Sequence, residues 1–435
     1  MSLNRRRFLM GAGAVAAGGL LSACGSGDSG GSGSGGGGGG EPIKIGYVAA
    51  LTGPVAAYGT QTLNALQLAA RDLNGLGGIM GRPVEIEAVD NGSKPDAVPA
   101  LMRQLATDGC AVLFGASASP PTIVAAQTAD QLRVPLVVPM EAADAIIGEG
   151  RQYVFKVAPS VLAENGWAAQ SVRAAMGAAQ AAGQQPATAM ILHASTGAYP
   201  EARDAWVRTF AEEFPGVQVL QVLSFDEAAT SDYAPLVSQA QAANPDLLVF
   251  GGNPQSAFQF YPALARSGWN PKATISCLGG NTNTQFIESV GAAAAENDIA
   301  GNYWTPKLAA KPGAQFSPQK FYDDYVAAYG GQKPDGVGAY YYASLGLVAD
   351  ALTQAGSTDN PQTIMEALRA TEFDGLSGDS NGMFIVGHGV KFDARGQNTA
   401  ADGVVTQIQN GDYVPVYPEA VATAQVVYPR VAVAG

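Results

Sequence analysis

The feature that most constrains the fold is an alternation of short apolar strands with amphipathic helices, which runs through the chain twice. In the first series, the strands lie at 43–48, 83–90, 110–114 and 134–138, and the helices lie at 62–74 and 97–107. The helices carry apolar residues at every third or fourth position, whereas the strands are short apolar runs. Alternation of this kind predicts parallel sheets with helices on both faces.

The second series begins after about residue 185. Its strands lie at 188–192, 217–223, 247–250 and 273–276, and its helices lie at 199–214, 233–243 and 254–267. The segments 108–115 and 244–251 are counterparts, since each is a strand that runs into a small-residue turn and then a helix. We therefore predict an α/β protein with two doubly wound parallel-sheet lobes. Such sheets bind ligands beyond the carboxyl ends of their strands, which places a ligand in a cleft between the lobes.

Composition excludes several classes of function. The chain has 24 Lys and Arg against 37 Asp and Glu, a net charge of −13. This charge argues against a protein that binds nucleic acid and against one that binds a membrane surface through a polybasic segment. Three Cys and two His leave little room for a zinc site, and we expect no metal and no cofactor. His193 and His388 have no nucleophile beside them in a known catalytic motif, so we do not predict an enzyme.

The first 23 residues read as an export signal. Arg5, Arg6 and Arg7 precede 16 mostly apolar residues, which is short for a transmembrane helix of about 20 residues. The arginines and the following Phe-Leu resemble a twin-arginine signal, and residues 21–24 resemble a bacterial lipobox whose Cys24 is lipidated and becomes the first residue. A signal cleaved elsewhere, or a plain anchor helix, remains the alternative.

A flexible tether follows the lipobox. Residues 25–40 comprise eleven Gly, four Ser and one Asp, so we assign 24–41 to a lipidated Cys with a Gly/Ser tether of about 20–25 Å r.m.s. span. Loss of residues 1–23 leaves 21 basic side chains against 37 acidic ones, a charge of −16. An acidic body held at a membrane by its lipid would be repelled by anionic headgroups.

A local anion site is predicted after the strand at 110–114. Ser119 is a good helix N-cap and Pro120 suits the first helical position. Free backbone N–H groups and the helix dipole favour an anion there, so Ser119 either holds a ligand carboxylate or only caps its own helix. Asn253 offers a similar helix start in the second series, where a purely capping role is favoured.

Six segments together resemble the Leu/Ile/Val-binding protein family: residues 43–46, 51–59, 73–81, 112–115, 340–343 and 373–378. The resemblance extends from 42 to about 418. It implies an extracytoplasmic solute-binding component of an ABC importer, with two lobes joined by a three-segment hinge. The implied lobes are 42–159 with 306–400, and 160–305 with 401–435.

The resemblance also implies a set of pocket residues. Tyr58 matches a cleft tyrosine, Ser119 matches the serine that holds the ligand α-carboxylate, and Tyr199 matches an aromatic residue that covers the ligand. The full set of candidate ligand-binding residues is Tyr58, Ser117, Ala118, Ser119, Met140, Glu141, Ala142, Tyr199, Asn253, Gly279 and Gly280.

Two departures from the family weaken an amino-acid ligand. Ala142 stands where the family has a threonine, and no acid lies near 278–280, where the family has a glutamate for the ammonium group. An aromatic or aliphatic acid, or an amide, is therefore an alternative ligand. Glu141 could supply a replacement acid, or it could form a solvated loop pair with Asp144.

Several other side chains have open roles. Trp167 and Trp304 could line the cleft or pack in the core. The positions of the family disulfide fall near Ser93 and Ala118, so that bond is absent. Cys110 and Cys277 lie in different lobes, and we expect both to be free thiols.

The prediction is thus a lipid-tethered, monomeric solute-binding protein at the outer face of a membrane. It binds a small carboxylate-bearing ligand by hinge closure and delivers it to an ABC permease. A sensor that signals to a membrane receptor without transport, or an extracytoplasmic hydrolase, are the alternatives.

Overall fold

A computed structural model describes residues 40–283, 285–310, 313–375 and 381–431. The predicted export signal, the lipidation site Cys24 and nearly all of the tether lie outside these residues. Within the described ranges, no helix combines the length and the apolar character that a membrane span requires.

The first sheet contains five strands, all parallel, in the order β2-β1-β3-β4-β5. The strands are β1 (Ile43–Ala49), β2 (Val84–Asp90), β3 (Val112–Phe114), β4 (Leu136–Val138) and β5 (Val154–Lys156). The connecting helices are α1 (Ala56–Gly75), α2 (Val98–Thr107) and α3 (Ser119–Leu132), with 3-10 turns at Pro95–Ala97 and Asp144–Ile146. The parallel lobe predicted from the first series is confirmed.

The second sheet has a parallel part of five strands in the order β10-β9-β8-β6-β7. The strands are β6 (Thr188–Ala194), β7 (Gln218–Phe225), β8 (Leu247–Gly251), β9 (Ala273–Cys277) and β10 (Ile299–Asn302). The helices of this lobe are α4 (Trp167–Ala181), α5 (Tyr199–Glu213), α6 (Ala234–Ala243), α7 (Pro254–Arg266), α8 (Phe286–Val290) and α9 (Ala292–Ala295).

Three further helices follow, and the chain returns to the first lobe through them. They are α10 (Pro318–Ala328), α11 (Gly336–Ala355) and α12 (Pro361–Ala370), followed by a short antiparallel ribbon of β11 (Glu372–Phe373) and β12 (Val390–Lys391). Helix α11 is buried along almost its whole length and packs against α1 and α12. A hydrophobic core continues from these helices into the first sheet.

The second sheet ends in an antiparallel hairpin that the sequence analysis did not predict. Strand β13 (Val404–Gln409) pairs antiparallel with β10, and β14 (Asp412–Tyr417) pairs antiparallel with β13. Asn410 and Gly411 form the two-residue turn with φ of +56° and +75°. Asn-Gly is the preferred pair for such a turn, because both central residues need positive φ. The second sheet is therefore mainly parallel rather than wholly so.

Two helix starts differ from the sequence prediction and both bear on the cleft. Helix α1 begins at Ala56 rather than at residue 62, which places Tyr58 in its first turn. The helix contains Gly59 because a Cβ there would lie 2.1 Å from the carbonyl oxygen of Ala50. Helix α3 begins at Ser119 itself, so that residue is not the N-cap.

The chain passes between the two sheets three times, after β5, after β10 and before β13. Two of these crossing segments are hydrogen bonded to each other. Asn165 Nδ2 donates to the carbonyl oxygen of Ala401 (2.9 Å), and the Gly403 amide donates to the carbonyl oxygen of Asn165 (2.8 Å). The exact lobe boundaries given above stay predictions.

Candidate functional site

A cavity of about 500 Å³ lies where the carboxyl ends of both sheets meet. Loops after β1, β2, β3 and β4 line one side, and loops after β6, β7, β8, β9 and β10 line the other. Parallel strands bring the starts of their following loops and helices to one edge, which explains why residues far apart in sequence meet here.

The structure brings ten of the eleven candidate residues to this cavity. They are Tyr58, Ser117, Ala118, Ser119, Met140, Glu141, Ala142, Tyr199, Asn253 and Gly279. Gly280 is outside the lining and packs behind it, since a Cβ on Gly280 would lie 2.3 Å from the carbonyl oxygen of Gly252.

The two serines of the β3–α3 loop have different hydrogen bonds. Ser117 Oγ accepts from the Ala50 amide (3.0 Å) and shares a 2.6 Å hydrogen bond with the Tyr47 hydroxyl. Among the described residues, Ser119 Oγ accepts one long bond from the Ala143 amide (3.4 Å) and meets no acceptor, so its own proton remains to be donated. Ser117 therefore supports the loop, whereas Ser119 has a donor left for a ligand.

The start of helix α3 is a weaker anion site than the sequence predicted. A helix leaves its first four N–H groups without intrahelical partners, but Pro120 and Pro121 have no N–H. The Thr122 amide donates to the carbonyl oxygen of Ala118. Among the described residues of this helix start, the amides of Ser119 and of the N-cap residue Ala118 are left to meet an anion.

Glu141 lines the cavity yet is only 7% exposed. Its Oε1 accepts from the Tyr341 hydroxyl (2.5 Å), and its Oε2 accepts from the Met140 amide (3.4 Å). Burial raises the pKa of Glu141, and these hydrogen bonds oppose the rise. The solvated loop pair with Asp144, one of the two alternatives above, does not form.

Asp144 instead belongs to a buried ion pair next to the cleft. Its Oδ1 lies 2.9 Å from Lys156 Nζ, and its Oδ2 accepts from the hydroxyl of Ser160 (2.5 Å). It lines a separate cavity beside the crossing segments. The Asp144 amide donates to Glu201 Oε2 (3.0 Å) on helix α5, which joins the two lobes at this point.

Three tyrosine hydroxyls converge at Gly279, whose φ of +79° suits glycine. An ideal Cβ on Gly279 would lie 3.5 Å from Tyr58 Oη, 3.9 Å from Tyr303 Oη and 4.0 Å from Tyr199 Oη. Burial raises the pKa of all three tyrosines, so they remain neutral hydrogen-bonding groups. Tyr199 donates to the Leu278 carbonyl oxygen (3.0 Å).

Glu227 is a cleft residue that the sequence analysis missed. It follows β7 and lines the cavity. Its Oε1 accepts from the Asn253 amide (2.6 Å) and from the hydroxyl of Ser256 (3.0 Å). Asn253 also caps α7, accepting from the Ser256 amide (2.9 Å) as predicted. Inspection of the loop after each predicted strand would have found Glu227, whereas Tyr303 follows β10, a strand that was not predicted.

The remaining candidates lie outside the cleft. Trp167 is fully buried against Tyr303, and Trp304 is buried and donates from its indole to the carbonyl oxygen of Ile385. Their packing role, one of the two alternatives, is the one observed. Cys110 and Cys277 are both buried and free, as predicted.

Among the described residues, no group of three or more His, Cys, Asp and Glu side chains is arranged to hold an ion. The charged side chains lining the cavity in these ranges are both carboxylates, Glu141 and Glu227.

Comparison with known sequences identifies the family. A profile described as periplasmic binding protein matches residues 42–412, and the chain belongs to that family. The prediction of an extracytoplasmic binding protein rather than an enzyme is thereby confirmed.

Individual relatives agree over nearly the whole chain. Leu/Ile/Val-binding protein homolog 8 of Brucella abortus is 26% identical over 386 residues, which cover 88% of this chain and 92% of the relative. Homolog 7 of the same species is 22% identical over 393 residues, covering 89% and 94%.

Solved structures share the fold. The branched-chain amino acid transporter substrate-binding protein LivJ of Streptococcus pneumoniae, solved with isoleucine, matches at a TM-score of 0.68 and 22% identity, covering 89% of this chain and all of that one. The leucine-binding protein LivK of Thermotoga maritima matches at 0.69 and 22% identity, covering 86% and 98%.

Proposed function

We propose that this chain is the substrate-binding protein of an ABC importer and that it binds an amino acid or a related small molecule. The observation that carries the proposal is the cavity of about 500 Å³ between the carboxyl ends of two sheets. That volume lies within the roughly 300–1,000 Å³ of small-molecule sites. The names of the Brucella relatives and the isoleucine complex of the Streptococcus protein support an amino-acid-sized ligand.

Closure of the lobes on the ligand is the proposed mechanism. The crossing segments are the elements that bend, and a ligand between the sheets adds contacts that exist only when the lobes are close. The hydrogen bond from the Asp144 amide to Glu201 also joins the two lobes, since it links the loop after β4 to helix α5. A permease that recognises the closed outer surface would then accept only the loaded protein.

The ligand class can be tested by a thermal-shift screen of the whole chain. The panel contains amino acids, aliphatic and aromatic carboxylic acids, and amides. A rise in Tm with at least one class is expected, because a ligand that binds only the folded state stabilises it. If no member of the panel raises the Tm, a small-solute binding protein of this kind is the wrong assignment.

Ser119 is proposed to donate its hydroxyl proton to a ligand oxygen. A hydrogen bond to a charged group contributes about 1.5–3 kcal/mol, so Ser119→Ala should weaken binding by about 10- to 150-fold. Ser117→Ala is the matched control: its hydroxyl is already bonded to Ala50 and Tyr47, so its main effect should be on stability. Equal ligand affinity of wild type and Ser119→Ala in calorimetry would exclude the role.

We also propose that the protein is anchored by a lipid on Cys24, after export by a twin-arginine signal, on the tether 24–41. Support comes from the sequence of residues 1–40 alone. Cys24→Ala should release the protein from the membrane fraction and abolish incorporation of a radiolabelled fatty acid, whereas Cys110→Ala should change neither. Unchanged labelling of Cys24→Ala would rule out this anchor.

A further inference from the structure

The loop after β9 has a backbone conformation that needs support from its surroundings. Leu278 and Gly279 both have positive φ, of +65° and +79°, and both line the cavity. Leucine is unfavourable in the left-handed region because its Cβ crowds the following carbonyl group, so this conformation persists only where neighbouring groups hold it. The shape of this wall of the cleft therefore depends on what is bonded to the loop.

Two hydrogen bonds hold the cleft end of the loop. The Tyr199 hydroxyl donates to the carbonyl oxygen of Leu278 (3.0 Å), and the Gly280 amide donates to the same oxygen (2.9 Å). The resulting conformation places Gly279 next to the three converging tyrosine hydroxyls. A shift of this backbone would change the spacing of these hydroxyls around the cavity.

Tyr413 holds the far end of the same loop. It is the second residue of β14, in the antiparallel hairpin, and its hydroxyl donates to the carbonyl oxygens of Asn281 (2.6 Å) and Asn283 (3.1 Å). Within the described ranges, all three residues are outside the cavity lining. One hydroxyl proton is thus shared by two carbonyl groups of the loop, which ties that stretch of backbone to the hairpin.

Asp298 anchors the side chain of Asn281 independently of Tyr413. Asp298 is fully buried, and its Oδ1 accepts from the Tyr261 hydroxyl (2.7 Å), whereas its Oδ2 accepts from Asn281 Nδ2. Asn281 is itself only 2% exposed, so this bond is shielded from water. The anchor keeps the loop attached to the second lobe when the Tyr413 hydroxyl is removed, and it leaves the backbone carbonyl groups as the part that Tyr413 controls.

We propose that Tyr413 is a positioning residue for the cleft: its hydroxyl fixes the loop after β9 in the conformation that presents Leu278 and Gly279 to a ligand. Tyr413 acts through the loop and not by contact with the ligand. The proposal rests on the proposed function, and it gives the antiparallel hairpin a role in binding.

The test compares two variants that each remove one tyrosine hydroxyl and keep the ring. Tyr413→Phe removes the donor to the loop. Tyr329→Phe is the matched control, because the Tyr329 hydroxyl donates to the carbonyl oxygen of Asn64 (2.7 Å) on α1 and the residue is half-buried like Tyr413. Loss of one such hydrogen bond should lower the Tm of both variants to a similar extent, so a difference between them in the cleft is not a matter of stability.

Amide hydrogen exchange followed by NMR examines the loop without any ligand. The Gly280 amide is bonded to the carbonyl oxygen of Leu278, and the Phe286 amide is bonded to that of Asn283 (2.9 Å each). Both amides should exchange about 5- to 10-fold faster in Tyr413→Phe than in the wild type, as expected for the loss of one hydrogen bond. In Tyr329→Phe their rates should stay within about twofold of the wild type.

Calorimetry with L-isoleucine, or with the compound of the thermal-shift panel that gives a larger rise in Tm, measures the consequence for binding. Tyr413→Phe should bind this probe about 5- to 10-fold more weakly, because binding must then also order the loop, whereas Tyr329→Phe should bind within about twofold of the wild type. Wild-type affinity in Tyr413→Phe, or unchanged exchange of the two amides, would overturn the positioning role and leave the binding-protein function intact. Binding of no compound to the wild-type chain would overturn the proposed function and, with it, a role of Tyr413 in binding.

Discussion

Replacement of Lys156 by Met should reveal how the cleft loop is supported from behind. Lys156 is fully buried, and its Nζ donates to Asp144 Oδ1 (2.9 Å), the Ala142 carbonyl oxygen (2.9 Å) and the Pro159 carbonyl oxygen (3.3 Å). All three ammonium protons are therefore used. Burial alone raises the pKa of Asp144, but Lys156 and Ser160 more than offset this, and the pKa falls below its ordinary value.

In Lys156→Met, the Asp144 carboxylate, which is 21% exposed, loses its counter-charge. The carbonyl oxygens of Ala142 and Pro159 lose their hydrogen-bond donor. Breaking a buried ion pair costs about 3–5 kcal/mol, so the free energy of unfolding should fall by about 3 kcal/mol or more. Adding Asp144→Asn to this variant should restore part of the loss, because no unpaired charge then remains. The two changes should be coupled by at least about 1 kcal/mol.

Urea unfolding followed by circular dichroism measures each value. The control is Lys320→Met, which breaks an exposed ion pair with Asp324 on α10 and should cost less than about 0.5 kcal/mol. A loss for Lys156→Met as small as the control, or strict additivity with Asp144→Asn, would refute the buried-pair reasoning. Since Ala142 lines the cleft, Lys156→Met should also weaken ligand binding.

Three further predictions concern stability and reactivity. Burial lowers the pKa of His388 from 6.5 to about 4. The contribution of neutral His388 to stability is therefore complete above pH 6.5 and is lost as the pH falls toward 4, by about 3 kcal/mol in total. His388→Gln should flatten this part of the pH profile of urea unfolding, and an unchanged profile would contradict the prediction. Gly59→Ala should destabilise by about 1–3 kcal/mol because its Cβ meets Ala50, whereas Gly177→Ala, at an exposed position of helix α4, should stabilise by about 0.5–1 kcal/mol. Differential scanning calorimetry should give Tm shifts of opposite sign, and shifts of one sign would be evidence against the packing. Cys277 should resist a thiol reagent until the chain unfolds, because it is buried and its pKa is raised well above the ordinary value. Rapid labelling of Cys277 in the native protein would show that strand β9 opens.

Much of the fold follows from the periodicity of the sequence. The strands and helices of both lobes were recognisable, since a buried parallel strand must be an apolar run and a covering helix must repeat its apolar residues. Ten of the candidate residues lie in the cleft because the resemblance indicates the same loops as the general position of ligands beyond the carboxyl ends of parallel strands. The hairpin at Asn410–Gly411 was missed although its turn residues are visible, because the expectation of a parallel sheet left no place for it.

Roles within the cleft were much harder to derive, because they depend on which atoms meet. Ser117 and Ser119 are two residues apart and of one type, yet the Tyr47 hydroxyl and the Ala50 amide are hydrogen bonded to Ser117 Oγ and not to Ser119 Oγ. A cleft acid and a solvated pair with Asp144 were both open for Glu141; in the structure Glu141 is buried against Tyr341, and Asp144 is bound to a lysine.

The sequence by itself determined the two α/β lobes, the edge of each sheet at which the cleft forms, and the acidic charge of the chain. Those properties depend on local periodicity and composition, which are independent of distant contacts. Only the tertiary structure decided that Glu227 lies in the cleft and that helix α3 begins at Ser119 itself. The reason is physical: parallel strands bring loops from distant parts of the chain to one edge, and any of these loops can supply the charge that a ligand needs.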